Sequence, residues 1–459
     1  MPKKYHIPIK PTPGRFPSIG RFYIIEQDQY CLHCPTNSCV KYNCAYGVYK
    51  ERRFDSKEWK DTIDYLCKNC FRCIQECKAK AISKTKNPEY LQLGDDYWKP
   101  GIITSLWYQA ETGKIPVSGA GYRGPFVGPG FDEMWTDMSE IVRPTRDGIH
   151  GREYIATNID LGRKLPSLRF DPEGGLLSTP FPSIDLPMPI IFNPLPFGAL
   201  SENVTLAMAK AAKTLGIMMV VNDRELSPSL IPYREHLIPC LNGEGKEIKG
   251  SKAVEFPYRK GCLSKVKELK AKNPEAVALI KVILNKEAKR TVLELTKTGA
   301  EIIHLSADIN GHEFEENPSF IKDAIRKIHT QLVEEGIRDE VTLIVSGGIA
   351  QAEHLAKIML CGADGCAIDL PLLIALECRL CKRCVKGLSC PVEIDSINPD
   401  WGARRIVNLM GAWHSQLIEV MGAMGIREAR RLRGETGRAM FYEDMERERF
   451  GELFGKRSR

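Results

Sequence analysis

Thr342-Leu-Ile-Val-Ser-Gly-Gly-Ile349 is a short apolar run that ends in a serine and two bare glycines. A run of that length suits a buried strand, and the glycines mark an abrupt end to it. Similar runs recur at 189–193, 217–221, 277–284, 301–306 and 365–369, with a weaker one at 253–258. Between them apolar residues repeat with helical spacing at 202–215, 286–299, 318–336 and 351–361. Ser201 before Glu202 stands where a helix cap is wanted. Alternating strand and helix implies a parallel sheet with right-handed crossovers. Seven strands in this stretch predict an α/β fold, a TIM (β/α)8 barrel rather than an open sheet, although the eighth strand has no clear signal.

The chain has 459 residues, 43% hydrophobic and 27% charged, an ordinary globular balance. That length predicts a barrel with appendages. The net charge of +7 is spread among 65 basic and 58 acidic residues, so no nucleic-acid surface is predicted. No apolar run is long enough to insert in a membrane, and Met1-Pro-Lys-Lys-Tyr-His is not followed by the apolar stretch of a secretory leader. A cytoplasmic, reducing compartment is therefore expected. The organisation reads as an arm at 1–30, a ferredoxin-like module at 31–87, and an irregular, Gly- and Pro-rich wrapping segment at 88–186. The barrel follows at 187–390, then a helical, charged C-terminal extension at 391–459.

Of the 16 cysteines, eight fall between 31 and 77 and four between 378 and 390. Clustered thiols in a reducing compartment indicate metal or iron–sulfur ligation rather than disulfides. Cys67-Lys-Asn-Cys70-Phe-Arg-Cys73-Ile-Gln-Glu-Cys77 has the C-x2-C-x2-C-x3-C spacing of a two-cluster ferredoxin. Three thiolates of such a loop hold one [4Fe–4S] cube, and the fourth reaches a second. The partner run, Cys31, Cys34, Cys39 and Cys44, is more widely spaced. Crossed ligation would pair Cys31, Cys34 and Cys39 with Cys77, and Cys67, Cys70 and Cys73 with Cys44. Structural zinc would also use eight cysteines, but crossing of this kind is an iron–sulfur habit. His33, between two of them, reads as a loop residue facing solvent. Cys378, Cys381, Cys384 and Cys390 form a third group, suited to a further [4Fe–4S] cluster or to zinc. Arg379, Lys382, Arg383 and Lys386 intersperse it, and positive charge there would raise the potential of an anionic cluster. The isolated Cys240, Cys262, Cys361 and Cys366 read as buried thiols.

Ser346, Gly347 and Gly348 close one strand ahead of a helix, and Gly365 lies in the next. Backbone N–H groups there can approach a phosphate, which barrels commonly bind after their seventh and eighth strands. FMN is the natural candidate, because two-electron chemistry beside one-electron clusters needs a flavin to convert between them. Asp308, His312 and Glu313 stand at a strand end, where barrel enzymes keep acid–base groups; a polar loop without catalysis reads equally well.

From about residue 88 onward the chain resembles the archaeal-type glutamate synthase large-subunit family. The resemblance rests on Leu93-Gly-Asp-Asp-Tyr-Trp98, Gln109-Ala-Glu-Thr-Gly113 and Thr136-Asp-Met-Ser-Glu-Ile-Val-Arg-Pro-Thr-Arg-Asp-Gly-Ile-His-Gly-Arg-Glu-Tyr154, with Ser346-Gly-Gly-Ile349 and Ala375-Leu-Glu-Cys378. Some members also carry an N-terminal two-cluster module. The resemblance implies an FMN barrel with the phosphate at Gly347 and Gly348. It implies flavin contact at Asn193-Pro-Leu-Pro-Phe-Gly198 and a lysine near the ring at Lys281. It also implies a [3Fe–4S] cluster on Cys378, Cys384 and Cys390, leaving Cys381 to complete a [4Fe–4S] site or stay free. The sequence departs from the family at two Gly-rich substrate blocks, which here read Ser306-Ala-Asp-Ile-Asn-Gly-His-Glu313 and Tyr258-Arg-Lys-Gly-Cys-Leu263, and at Asp369-Leu370, where the family has Gly-Thr. No glutaminase nucleophile opens the chain.

The expectation is thus an iron–sulfur flavoprotein oxidoreductase, with Lys281, Asp308 and His312 as its candidate catalytic residues. It is expected to work in a hetero-oligomer with a flavoprotein or ferredoxin. The alternatives are a glutamate synthase FMN subunit served by a separate glutaminase chain, and an electron-wiring subunit whose barrel is a scaffold.

Overall fold

The structure is a computed structural model. It describes residues 5–26, 30–31, 34, 44–50, 62–117, 119, 122, 124–126, 128–136, 155–178, 181–198, 200–241 and 250–454. The chain divides into two compact units. One comprises Met1–Pro13, Ser105–Cys378 and Lys382–Arg459; the other comprises Gly14–Thr104 and Arg379–Cys381.

The larger unit holds a closed barrel of eight strands. They are β1 (Ile190–Phe192), β2 (Met219–Asn222), β3 (Leu237–Cys240), β4 (Ala253–Pro257), β5 (Val277–Ile283), β6 (Ile302–Ser306), β7 (Thr342–Ser346) and β8 (Gly365–Ile368). Each pairs in parallel with its sequence neighbours, and β8 closes on β1. Helices α1 (Glu202–Leu215), α2 (Cys262–Lys272), α3 (Ala288–Lys297), α4 (Ile321–Glu334), α5 (Ala352–Leu360) and α6 (Leu370–Ala375) follow β1, β4, β5, β6, β7 and β8. The predicted barrel is therefore the observed one. Its strands are mostly apolar because both faces are covered: every residue of β1, β3, β7 and β8 is buried.

The eighth strand is β3. Its signal is weak because Pro239 sits inside it, and because no α-helix precedes it. Pro228 and Pro232 cannot donate backbone hydrogen bonds, so Pro228–His236 winds as a 3-10 stretch instead. Ser201 stands at the start of α1, but its hydroxyl donates to the Asp395 carbonyl (2.6 Å) rather than capping the helix.

The long helix α7 (Pro399–Met424) is far less exposed than a charged extension would be. Pro399 opens it, the Asn398 carboxamide accepts from the N–H groups of Asp400 and Trp401, and Gly425 ends it in the left-handed region. It lies against α1 and α5 and buries Trp413 completely. The Arg405 guanidinium, 1% exposed, donates to the carbonyls of Ala375 and Thr12; Asn408 ties Lys10 and Ala110 to the same helix.

A hairpin of Ile159–Gly162 and Ser183–Leu186 meets the start of β7, where the Thr342 hydroxyl donates to the Gly162 carbonyl at 2.8 Å. Arg338 and Arg433 both pair with Asp364, just before β8.

The smaller unit pairs Phe22–Glu26 antiparallel with Ile82–Lys86. The buried Asn87 side chain donates to the Gly20 carbonyl and accepts from the Glu89 N–H. Cysteines 67–77 lie on the chain leading into this ribbon. Among the described residues, no helix is long and apolar enough to cross a membrane.

Candidate functional site at the barrel mouth and in the cysteine loops

The barrel carries polar groups on five strands, β3 to β7, and on the residues just after β8 and β1. Glu255 on β4 and His304 on β6 are both fully buried, and Ser346 at the end of β7 is 1% exposed. The Glu255 carboxylate lies 2.6 Å from His304 Nδ1, and His304 Nε2 lies 2.9 Å from the Ser346 hydroxyl. A carboxylate only accepts, so Nδ1 carries a proton toward Glu255, and Nε2 shares a hydrogen bond with the Ser346 hydroxyl. Burial alone would push the Glu255 carboxyl up. The charge and hydrogen bond of His304, the charge of Lys281 and the Cys240 thiol outweigh burial and hold it below the usual range. Cys240, at the end of β3, is pushed up to about 12 by burial and by Glu255, so its thiol stays protonated.

Lys281, half-buried on β5, stands in register between Pro257 on β4 and His304 on β6. Its charge acts on Glu255, on Cys240 and, toward the other side of the barrel, on Asp369. Asp369 follows β8 and accepts from the Leu370 N–H at 2.5 Å and from the Asn193 carboxamide. Desolvation nevertheless raises its carboxyl above the ordinary range. Asn193, 6% exposed beyond β1, bonds through its N–H to the Ile368 carbonyl, and its Oδ1 is buried without a hydrogen-bond partner. Gly198 follows in the same loop at φ +136°.

The glycines after β7 have a packing reason. At Gly347 (φ +102°) an added Cβ would lie 2.3 Å from the Asp308 carbonyl oxygen, and at Gly348 (φ +67°) 2.6 Å from Gly311 Cα. The β6–α4 loop thus rests directly on this turn. The Ala350 N–H, two residues before α5 begins, is bonded to His354 Nδ1 (3.1 Å). Gly365 is not at the mouth. It begins β8 opposite Ile344, and a Cβ there would meet the Pro189 carbonyl at 2.8 Å, so close strand packing requires it.

Asp308 and His312 share an open cleft of about 710 Å³ with Glu313, Glu315 and Glu316. Asp308 Oδ1 accepts from the N–H groups of Asn310 (2.9 Å) and His312 (2.8 Å), which organises the loop. The His312 ring nitrogen is 3.9 Å away, beyond hydrogen-bond distance.

The cysteine loops have a distinct backbone. Among the described residues, seven non-glycines have positive φ: Asn69, Phe71, Lys80, Glu377, Leu380, Lys382 and Glu393. All of them lie in or beside the second and third cysteine groups. Left-handed residues cost about 1 kcal/mol or more each and turn successive N–H groups toward one point, the form that anion and iron–sulfur sites use. The Cys77 sulfur accepts from the Ala81 N–H at 3.4 Å. Among the described residues no three His, Cys, Asp or Glu side chains gather closely enough to hold a single ion. Cys31, Cys34, Cys44, Cys67, Cys70, Cys73, Cys77, Cys378, Cys381, Cys384 and Cys390 are unpaired by disulfides, while Cys39, His33 and most of the string ending at Tyr154 lie outside the described residues. Cys240, Cys262, Cys361 and Cys366 are buried thiols, as expected.

Residues 251–427 match a family model described as a conserved region in glutamate synthase. An archaeal-type glutamate synthase (NADPH) of Dehalococcoides mccartyi is 25% identical, with 90% of this chain and 94% of that protein covered. The Thermotoga maritima protein of the same name is 26% identical, covering 90% and 93%. The archaeal glutamate synthase (NADPH) of Methanocaldococcus jannaschii is 26% identical, covering 91% and 94%. The chain resembles archaeal-type glutamate synthases over most of its length. The matched conserved region runs from just before β4 through β8, the third cysteine group and α7.

Against a flavin, the ring end of the mouth fits: a buried, unpartnered amide oxygen on Asn193 stands with Asp369 in the field of the Lys281 cation. The phosphate end departs at Asp369, which itself caps the helix after β8. Against iron–sulfur clusters, the left-handed loops fit. The sequence missed Glu255 and His304; the available signal was a charged or imidazole residue inside an otherwise apolar strand run.

Proposed function

We propose that the chain is an oxidoreductase of the glutamate synthase type, carrying electrons on iron–sulfur clusters and FMN, within a larger complex that includes a ferredoxin or flavoprotein partner. The observation that carries this reading is the confinement of every positive-φ non-glycine residue among those described to the cysteine loops, in a chain whose barrel mouth presents Lys281. Strain of this kind persists where a bound group repays it. Cys67, Cys70, Cys73 with Cys44, and Cys31, Cys34, Cys39 with Cys77, would hold two [4Fe–4S] clusters. Cys378, Cys384 and Cys390, with or without Cys381, would hold the third.

FMN, when bound, exchanges electrons in pairs with a substrate and singly with clusters. Lys281 would place positive charge beside the flavin ring, and Asn193 Oδ1, buried without a partner, would accept a hydrogen bond there. Gly347 and Gly348 would hold the phosphate. Asp308 and His312 line the open cleft, where Asp308 holds the loop and the His312 ring is the candidate acid–base group. Reductive amination of 2-oxoglutarate is the first substrate reaction to test, since the relatives are glutamate synthases.

Asp369 favours a second reading, in which the barrel is a scaffold for the clusters. Anaerobic purification with flavin release and iron and sulfide counts separates the two. One FMN with about twelve irons, the number in three cubes, is the expected result. Iron without flavin would leave the scaffold reading standing, and protein without iron would sink both.

A further inference from the structure

We propose that Lys84 sets the reduction potential of the cluster held by Cys67, Cys70 and Cys73, raising it through a charge aimed at those three sulfurs. The inference deepens the reading above and rests on its clusters.

Lys84 is central in the strand Ile82–Lys86 and pairs with Ile24. Strand alternation points Ser83 and Thr85 to solvent and puts Lys84 on the face of the buried Ile82. There burial works against its charge, yet the cysteine loop, Cys67 first and then Cys73 and Cys70, outweighs burial and favours the ammonium form. It also lies 5.2 Å from the centre of the Phe71 ring, and Phe71 is one of the left-handed loop residues. A ring face on one side and a thiol on the other hold the cation half-buried over the loop. The other charges nearby are placed differently. Lys68, Lys78 and Lys80 are exposed, and the exposed Arg72 is answered by Glu76 at 2.9 Å. Cys77 is outside this group: its sulfur takes the Ala81 N–H instead. Lys84 therefore singles out the three sulfurs that the ferredoxin spacing assigns to one cube.

One electron entering a thiolate-bound cluster, from an electrode or a one-electron carrier, adds one negative charge and forms or breaks no bond. A fixed cation beside the sulfurs stabilises that added charge, so the potential rises. At the distance from a sulfur-bound lysine to the cube, one charge in a partly shielded site is worth about a tenfold change in the reduced-to-oxidised ratio. That is about 59 mV for a one-electron couple.

The test is a redox titration of the anaerobic full-length protein, followed by electron paramagnetic resonance, after iron and sulfide counts on each variant. Lys84→Gln should keep its iron and lower the potential of one N-terminal cluster about tenfold in ratio, leaving the others in place. Lys84→Arg should restore it, and Lys84→Glu should lower it further. The wild-type-to-Gln difference should shrink as salt rises, because the site is partly open to solvent; loosened packing would not respond in that way. Unmoved potentials in iron-replete Lys84→Gln, equal shifts in all clusters, or an Arg variant that behaves like Gln would each overturn the role of Lys84 alone. Wild-type protein without iron would overturn the clusters and Lys84 together.

Discussion

The cysteine loops and the barrel mouth solve the same problem, holding charge inside protein, in opposite ways. The loops bring together cysteines that are neighbours in sequence, and their backbone turns left-handed there. The barrel keeps an ordinary backbone and draws its polar groups from strands far apart: Glu255, Lys281, His304 and Ser346 meet although 91 positions separate the first from the last. A site made by local bending is legible as spacing. A site made by strand register is legible only once the register is known.

The comparison breaks most sharply if a single ligand is removed. Cys73→Ala should cost one whole cluster, about four irons per chain, while the barrel unfolds as before. Iron and sulfide counts beside a thermal melt check both halves. Loss of all iron would mean that the groups assemble as one unit. Next in size is His304→Ala, which leaves the fully buried Glu255 without its partner. Removing one member of a buried pair destabilises by about 3–5 kcal/mol. Denaturant unfolding should show that loss in full for His304→Ala and much less for the double variant Glu255→Gln with His304→Ala. Equal losses would mean that packing rather than charge matters there.

The fold was legible where apolar runs and helical periods were unbroken, which covers seven of the eight strands. It was not legible at β3, where Pro239 and the 3-10 stretch before it erase both periods. α7 looked like a surface extension because charges bracket it, yet its apolar positions continue around the helix and bury Trp413 and Met421. Ser201 showed the right residue for a cap and spends its hydroxyl elsewhere. At the mouth, Lys281 and Asn193 were placed by resemblance, whereas Glu255 and His304 carried only the oddity of a polar residue in an apolar run. Gly365 misled because a glycine needed for strand packing looks, in sequence, like one needed for a ligand.

The two regions should also differ in acid. Burial pushes His414 down to about 4, where its Nε2 lies 3.0 Å from the Thr157 hydroxyl; burial and the charges of Arg338 and Arg433 do the same to His329. The folded pKa is below the unfolded value near 6.5, so the unfolded chain takes up protons first as pH falls. Stability of the barrel unit is then lost between pH 6.5 and 4, by about 1.4 kcal/mol per pH unit for each histidine. His414→Gln keeps a partner for Thr157 and removes one titration, so its melting temperature should fall less steeply over that window. Parallel pH profiles for the two proteins would exclude His414 as a contributor.

The smallest expected effect decides what the mouth is for. Asp369 stands where a phosphate would meet the helix after β8, held by the Leu370 N–H and the Asn193 amide. Asp369→Asn keeps an acceptor for Leu370 and removes a charge that repels a phosphate dianion. If FMN binds with its phosphate at this end, the variant should bind it about tenfold more tightly, the scale of one screened charge, and flavin fluorescence quenching measures that directly. Riboflavin, which has no phosphate, should gain nothing. A gain for both ligands would locate the effect at the ring, through Lys281, whose positive charge Asp369 shares. No gain for either would place the phosphate elsewhere, and the carboxylate would then be a cap that the barrel keeps for its own stability.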